Sequence, residues 1–159
     1  MTNMTYTIHK LDESIKGAYG LTIADMNGDS YGDVVKDWAG VTRITYNNRN
    51  NPGFFNLYTA PYEGSAYHIN AGDLNSDGRL DVVVSDDGLD RFAYNTGVDP
   101  FGGVKWGTFK TFTFLSGGDG GKGGQNYILD LDQDGFGEPI IADVDVDIPG
   151  CGGRIHIHH

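Results

Sequence analysis

The chain has little of what several classes of protein require. Its 159 residues include one cysteine, Cys151, which excludes an internal disulfide. No apolar run approaches the roughly 20 residues that a membrane-spanning helix needs. The amino-terminal segment MTNMTYTIHKLDE has neither the basic start nor the apolar core of a signal peptide. We therefore expect no membrane span and no signal peptide in this chain.

Basic residues are also scarce. The 11 lysines and arginines stand against 22 acidic residues, which gives a formal charge of −11, and no basic cluster is present to contact phosphates. Nucleic-acid binding is therefore not expected. The sequence has no G-x-S-x-G motif and no recognisable set of nucleophile, base and acid, so we predict a non-catalytic protein. Leucine-rich amphipathic stretches are missing, whereas 25 glycines and abundant aromatics favour short strands and tight turns.

The sequence instead repeats one acidic loop three times. Its copies are DMNGDSYGD at 25–33, DLNSDGRLD at 73–81 and DLDQDGFGE at 130–138, and their starts lie 48 and 57 residues apart. Oxygen-bearing side chains at positions 1, 3, 5 and 9, with a backbone carbonyl at position 7, are typical of a site for a hard divalent cation. The predicted ligands are Asp25, Asn27, Asp29, the Tyr31 carbonyl and Asp33 in loop 1; Asp73, Asn75, Asp77, the Arg79 carbonyl and Asp81 in loop 2; and Asp130, Asp132, Asp134, the Phe136 carbonyl and Glu138 in loop 3.

Calcium fits these loops better than other ions or motifs. Ca²⁺ takes about 6–8 oxygen ligands in a flexible geometry, whereas Mg²⁺ disfavours an all-protein cage. An EF-hand would need flanking helices and an acidic residue at position 12, but that position is Lys36, Val84 and Ile141. Glycine at position 6 permits a sharp turn in loops 2 and 3, whereas Ser30 makes loop 1 depart from the pattern. We predict up to three calcium ions, one per repeat.

Strand patterns flank every loop. Each repeat has four strand-like segments in the same order, such as AYHINAGD before loop 2 and DVVVSDD after it. Four short antiparallel strands at this period are typical of a β-propeller blade. We predict an all-β chain of three four-stranded antiparallel repeats that form half or part of a propeller. Blade 1 covers about 1–50, blade 2 covers 51–100 and blade 3 covers 101–159, with turns such as NRNNPG and NTGVDPFGG between them.

These loops and their strand context resemble the FG-GAP/VCBS-type repeats of integrin-like and bacterial surface β-propellers, over essentially the whole chain. The literal Phe-Gly and Gly-Ala-Pro signatures are absent, so the resemblance rests on the acidic loops and the strand order. In that family the loop binds Ca²⁺ and braces the blade, which implies a calcium-stabilised binding or adhesion scaffold, extracellular or on the cell surface. Two alternatives are a carbohydrate-binding lectin, and a fragment or accessory domain of a secreted enzyme that acts on polysaccharides or lipids.

The number of repeats raises the question of partners. Closed propellers typically have about 4–8 blades, so three blades would form an open arc with an apolar face at each end. Two possibilities stay open: two copies form a dimer that closes a six-bladed ring, or the chain is part of a longer propeller. The family resemblance implies a glycan or a protein as the ligand.

Three other groups of side chains have both a structural and a binding interpretation. The terminal RIHIHH aligns with RITYNN and RFAYNT, so it is either a last edge strand or a Zn²⁺ or Cu²⁺ site. The tryptophans are either buried or available to stack on a sugar. The arginine that opens each aligned segment pairs with a nearby acid or faces a ligand. These residues are His156, His158 and His159; Trp38 and Trp106; and Arg43, Arg91 and Arg154 with Asp37, Asp86 and Asp143.

Overall fold

The computed structural model describes residues 20–38, 41–53, 55–63, 66–86, 90–112, 123–143 and 154–159. Every regular element in these ranges is a β-strand, which confirms the predicted all-β class. None of the described residues forms an apolar helix long enough to traverse a bilayer. The amino-terminal segment and Cys151 lie outside the described ranges.

Short strands follow one another along the whole described chain. In chain order they are β1 (Leu21–Ala24), β2 (Asp33–Trp38), β3 (Val41–Asn47), β4 (Phe55–Glu63), β5 (Ala66–Gly72), β6 (Asp81–Asp86), β7 (Arg91–Ala93), β8 (Asn95–Val98), β9 (Val104–Trp106), β10 (Lys110–Thr111), β11 (Gly123–Leu129), β12 (Glu138–Asp143) and β13 (Arg154–Ile157).

These strands form three antiparallel sheets and a separate hairpin. Sheet 1 has the order β1-β2-β3-β4, sheet 2 the order β10-β7-β6-β5, and sheet 3 the order β11-β12-β13. Strands β8 and β9 pair with each other. Among the described residues the sheets remain open and form neither a closed barrel nor a closed ring. The predicted antiparallel sheets are therefore confirmed, although sheet 3 has three strands among the described residues where four were predicted.

The sheets do not follow the predicted repeat boundaries. β4 lies beyond residue 50 but completes sheet 1, and β10 lies beyond residue 100 but completes sheet 2. An alternating pattern identifies a strand without identifying its neighbour. The turn at 48–53, where the Asn51 N–H donates to the Asn48 carbonyl at 2.9 Å, folds β4 directly back onto β3. Local turn geometry therefore decides which sheet receives the strand.

Sheets 1 and 2 share one apolar cluster. Val35 and Ile44 are cross-strand partners in sheet 1, and they join Val82 and Val84 of β6 in this cluster. All four are fully buried, and burial of each such side chain contributes about 1.5–3 kcal/mol. Val83 belongs instead to a second cluster with sheet 3, since successive side chains of a strand point to opposite faces. β6 is thus covered on both faces, as its continuous apolar run predicts.

Sheets 2 and 3 approach closely at Gly72. A Cβ there would lie 2.5 Å from Ile128 Cγ2, so a side chain at this position would force the sheets apart. Beside this contact the Asn70 side chain donates to the Asn126 carbonyl at 3.0 Å. The Asn126 side chain in turn donates to Ser85 Oγ at 2.8 Å. Hydrogen bonds therefore cross the seam between these two sheets.

The segment NTGVDPFGG, predicted as a turn between repeats, contains that turn and also β8, the first strand of the β8–β9 hairpin. The Asp99 N–H donates to the Gly103 carbonyl at 2.8 Å and closes the hairpin turn. β9 then reaches back to sheet 1, where the Val104 N–H donates to the Tyr46 hydroxyl at 2.9 Å. Val104 is buried in the cluster between sheets 1 and 2. Turn-forming residues predicted the reversal but not the strands on either side of it.

Candidate metal centres

The three acidic loops occupy equivalent places in the three sheets. Loop 1 (25–33) runs from β1 into β2, loop 2 (73–81) from β5 into β6, and loop 3 (130–138) from β11 into β12. Each loop therefore links two adjacent antiparallel strands, and the carboxylate at position 9 is the first residue of the second strand. The structure thus brings each predicted set of side-chain ligands into one tight turn.

Side-chain oxygens curl each loop in the same way. The N–H at position 6 donates to the carboxylate at position 1, the N–H at position 5 to the oxygen at position 3, and the N–H at position 7 to the carboxylate at position 5. The first bond is Ser30 to Asp25 at 2.7 Å, Gly78 to Asp73 at 2.7 Å, and Gly135 to Asp130 at 3.1 Å. The second and third bonds measure 3.2 and 3.0 Å in loop 1, 3.1 and 2.9 Å in loop 2, and 3.2 and 2.9 Å in loop 3.

Backbone angles repeat as well. All three loops adopt positive φ at position 6, with 72° for Ser30, 80° for Gly78 and 94° for Gly135. Position 4 is also positive in each, with 74° for Gly28, 57° for Ser76 and 64° for Gln133. Ser30 therefore takes the conformation of the glycines that it replaces. Loop 1 keeps the backbone geometry of the other two loops, so its expected departure from the pattern is limited to residue type.

The position-9 carboxylates are buried at the base of the loops. Asp81 Oδ2 accepts a hydrogen bond from the Leu74 N–H at 2.9 Å, and Oδ1 accepts one from the Asn95 N–H at 2.7 Å. Asp33 makes the two equivalent bonds at 3.0 and 2.9 Å. Glu138 Oε2 accepts from the N–H at position 2 of loop 3, at 2.7 Å. The residue predicted as a metal ligand is thus also the acceptor that holds the loop to the next strand.

Burial sets the protonation of two of these carboxylates. Desolvation raises the pKa of Asp81 to about 6, the backbone N–H groups that it accepts from oppose this rise, and the charges of Asp77 and Asp73 add to it. The same causes raise the pKa of Asp33 to about 6. A buried carboxylate beside other acids is stabilised by a positive partner, and a bound divalent cation supplies one.

The metal-free chain is therefore expected to be more stable at pH 5 than at pH 7.5. Because the folded pKa of Asp33 and Asp81 exceeds the unfolded value, their stability contribution is full below about pH 4 and is lost as pH rises through about 6. Between these two pH values the loss is about 1 kcal/mol per carboxylate. Melting temperatures of the chelator-stripped chain at both pH values test this. Asp81→Asn should shrink the difference, and a higher melting temperature at pH 7.5 would contradict the prediction.

Among the described residues, loop 3 is the acidic loop that brings its carboxylates close together, whereas the aspartates of loops 1 and 2 do not form such a group. Carboxylate oxygens of Asp130, Asp132, Asp134 and Glu138 all lie within 4.8 Å of one another. A ring nitrogen of His159 lies within the same distance of oxygens of Asp132 and Glu138. Closely spaced oxygens of this kind suit a hard cation. The oxygen-rich donor set of loop 3 therefore fits the predicted calcium ion.

Two residues that sequence reasoning missed connect the loops. The buried Asn95 donates its side-chain amide to the Met26 carbonyl in loop 1 at 3.0 Å and to the Leu80 carbonyl in loop 2 at 3.2 Å. The Gly137 N–H in loop 3 donates to the Asp73 carbonyl in loop 2 at 2.8 Å. Asn95 had a readable signal, since it and Asn47 each lie 14 residues after a position-9 acid. No sequence pattern indicates the Gly137 contact, because it depends on how sheets 2 and 3 pack.

Other predicted binding residues have structural contacts. The Arg79 side chain forms an ion pair with Asp77 and donates through Nε to the Asn95 carbonyl at 2.9 Å. Trp106 packs against the cluster between sheets 1 and 2. The Arg43 guanidinium lies 4.0 Å from the centre of the Tyr58 ring. The side chains of Trp38, Arg154 and the three predicted acidic partners lie outside the described part of the structure.

The terminal RIHI segment forms an edge strand whose side chains alternate in exposure. Ile155 and Ile157 are exposed, whereas His156 and His158 are half-buried on the other face. His158 stacks on Phe112 with ring centres 4.4 Å apart. Burial lowers the pKa of His158, and the neighbouring His156 and His159 lower it further. His159 lies beside loop 3, so the structure associates one of the three histidines with the predicted calcium ligands.

In the described part of the chain, two cavities adjoin the acidic loops. One, of about 520 Å³, lies between sheet 2 and loop 3 and is lined by Phe92, Phe112, Asp134 and His159 among others. The other, of about 450 Å³, lies between loop 1 and the β8–β9 turn. The equivalent loop position 5 lines both of them, through Asp134 in one and Asp29 in the other. An open space therefore lies beside position 5 of both loop 1 and loop 3.

Comparison with protein-family models gave no match to this chain, and comparison with curated proteins gave none either.

Proposed function

We propose that the chain is a calcium-stabilised, non-catalytic β-repeat scaffold for binding or adhesion, of the FG-GAP/VCBS kind. The observation that carries the proposal is the repetition of one loop geometry. All three loops combine the same three side-chain-to-backbone hydrogen bonds with positive φ at positions 4 and 6. Plain surface turns have no reason to repeat these features together with the same acidic positions.

Calcium is the proposed ion because of the donors. Each loop offers side-chain oxygens at four positions and a backbone carbonyl at a fifth, and water completes the 6–8 ligands that Ca²⁺ accepts. Carboxylate and carbonyl oxygens do not attract the softer metals that prefer thiolate or imidazole. The buried Asp33 and Asp81, whose pKa values are raised, gain a positive partner when the ion binds.

The proposed role of the ion is structural. Clustered carboxylates repel one another without it, and the loops join the strands that begin each sheet. Asn95 links loops 1 and 2, and the Gly137 to Asp73 hydrogen bond links loops 2 and 3. An ion in one loop therefore also supports its neighbour. Rigid, stacked sheets then present their surface loops to a ligand.

Calcium is expected to protect loop 2 from trypsin. Arg79 is an exposed trypsin site at position 7, where its carbonyl would bind the ion. Fixing that carbonyl suppresses the local opening that proteolysis needs, so Ca²⁺ should slow cleavage after Arg79 by about tenfold or more. Mass spectrometry of timed digests measures this rate. Equal Mg²⁺ should protect weakly.

Arg49 provides the internal control for that digest. It is exposed in the turn between β3 and β4, outside all three loops. The ratio of cleavage after Arg79 to cleavage after Arg49 removes any effect of calcium on trypsin itself. A ratio that is the same in chelator and in calcium would refute the proposed site in loop 2.

A carbohydrate-binding role is the second candidate, because of the 520 Å³ cavity beside loop 3. Its wall combines Phe92 and Phe112, which can cover the apolar face of a sugar, with Asp134 and His159, which can bind hydroxyl groups. A glycan array in calcium, repeated with Phe92→Ala, tests this role. Binding that disappears in the variant supports a lectin. An array without signal counts against the lectin role and does not affect the scaffold proposal.

A further inference from the structure

The two ends of the sheet stack expose positions that are buried inside it. Counted from the opening arginine of the aligned segments, Ile155 of β13 occupies the place of Ile44 in β3. Ile44 is 0% exposed against sheet 2, whereas Ile155 is 73% exposed. Ile157 likewise occupies the place of Tyr46, which is buried. Sheet 3 therefore exposes the face that corresponds to the face of sheet 1 buried against sheet 2.

The opposite end shows the converse. Counted back from loop position 1, Leu21 of β1 occupies the place of Ile69 in β5. Ile69 is 4% exposed in the cluster with sheet 1, whereas Leu21 is 63% exposed. Ile23 occupies the place of Ala71 and is also exposed. Sheet 1 therefore exposes the face that corresponds to the face of sheet 2 buried against sheet 1.

Strand register lines up the exposed side chains of each end. In sheet 1, cross-strand pairing places Ile23, Val34, Thr45 and Tyr58 in one row, in which Ile23 and Tyr58 are exposed and Val34 and Thr45 are buried. Sheet 3 has the row Tyr127, Ile140 and Ile157. We call Leu21, Ile23 and Tyr58 the sheet-1 end face, and Tyr127, Leu129, Ile155 and Ile157 the sheet-3 end face; all seven residues are exposed.

We propose that the sheet-3 end face docks on the sheet-1 end face of a second copy of this chain. Within the chain, sheet 1 meets sheet 2 and sheet 2 meets sheet 3 through equivalent positions, so the same contact can be repeated once more. The sheet-1 end face of a second copy is the surface that would continue this series of sheet contacts beyond sheet 3. Burial of the exposed apolar side chains of the two end faces drives the association. The contact does not depend on calcium.

This contact is heterologous, since two different faces of the chain meet. Such contacts close into a ring when the rotation between copies allows it. Two copies would place six sheets in series, within the typical range of about 4–8 for a closed propeller. Both copies would then contribute both end faces, and no apolar end would remain exposed.

Sedimentation or light scattering of the 159-residue chain measures the association. The chain has a mass of 17.2 kDa, and a species of twice this mass is expected at micromolar concentration. Ile155→Lys and Ile23→Lys should each weaken the dimer by about 100-fold or more, because a charge would be buried without a partner. Val98→Lys is the matched control, since Val98 is an exposed valine on the hairpin and outside both end faces.

Mixing the two weakened variants separates head-to-tail docking from other arrangements. One variant retains an intact sheet-3 end face and the other an intact sheet-1 end face, so the mixture should form a heterodimer with one good contact. A monomer at all concentrations overturns the proposal. A dimer that is sensitive to Ile155→Lys but not to Ile23→Lys also overturns it, because identical faces would then be meeting. Circular dichroism of each variant checks that the sheets persist.

Discussion

Millimolar Ca²⁺ is expected to raise the melting temperature of the chelator-stripped chain by about 15 °C or more. An ion present at 100 times its dissociation constant stabilises the folded state by about 2.7 kcal/mol per site. Three such sites contribute about 8 kcal/mol, and a chain of this length gains about 2–4 °C per kcal/mol. Scanning calorimetry in chelator and in calcium measures the shift.

Two controls sharpen this measurement. Equal Mg²⁺ should give a much smaller shift, because this ion dehydrates reluctantly and demands octahedral geometry. A triple variant, Asp25→Asn, Asp73→Asn and Asp130→Asn, removes one charged ligand from each loop while it keeps side-chain size. Its melting temperature should respond weakly to calcium. A wild-type melting curve that is the same in both solutions would refute the structural role of the ion.

Asp81→Ala is expected to lower the melting temperature by about 6–12 °C even without metal. The Asp81 carboxylate is fully buried and accepts hydrogen bonds from the N–H groups of Leu74 and Asn95. Alanine leaves both donors without their acceptor. Each unsatisfied buried donor costs about 1–3 kcal/mol, so the loss amounts to about 3 kcal/mol after relaxation. Thermal melts of the stripped variant measure it.

Asp77→Ala is the matched control in the same loop. Asp77 is also a predicted metal ligand, but it is exposed, and its hydrogen bond to the Arg79 N–H is open to solvent. In chelator this variant should cost no more than about 1 kcal/mol, since water replaces the lost acceptor. Both variants should bind calcium more weakly than the unmodified chain. Equal destabilisation of the two variants in chelator would contradict the structural role assigned to position 9.

Much of the candidate site could be predicted from the sequence because the loop is local. Nine consecutive residues carry its side-chain oxygens, so spacing alone places them in one turn. Ser30 shows the limit of that reasoning. Residue type suggested a departure at position 6, but two hydrogen bonds hold the backbone at positive φ, one from the Ser30 N–H to the Asp25 carboxylate and one from the Asp29 N–H to the Asn27 side-chain oxygen. Local hydrogen bonds outweigh the intrinsic preference of serine.

The spacing of the acidic residues did not predict that the carboxylate at position 9 also accepts hydrogen bonds from backbone N–H groups. Asp81 reaches the Asn95 N–H because β6 and β7 pair with the register that places Val82 opposite Ala93. That contact joins residues 14 apart, and its geometry depends on the strand pairing. The sequence therefore indicated an oxygen donor and did not indicate that both oxygens already accept backbone hydrogen bonds.

Sheet membership was the least predictable part of the fold. The pattern at 54–60 marks a strand, yet β4 completes sheet 1 because the turn at 48–53 is short enough to form a hairpin. The β8–β9 hairpin was missed for a related reason. Its strands are short, and they are stabilised by contacts with distant residues, such as Tyr46 and Asn27, that no local pattern reveals.

Titration calorimetry of calcium into the chelator-stripped chain measures directly whether the three acidic loops bind calcium. Three ions are expected to bind per chain, with one fewer in each single variant Asp25→Asn, Asp73→Asn and Asp130→Asn. The three loops share one backbone geometry, but loop 3 offers four carboxylates where loops 1 and 2 offer three each, so loop 3 should bind most tightly. No binding at millimolar calcium, or binding that persists unchanged in all three variants, would contradict the assignment of these loops as calcium sites.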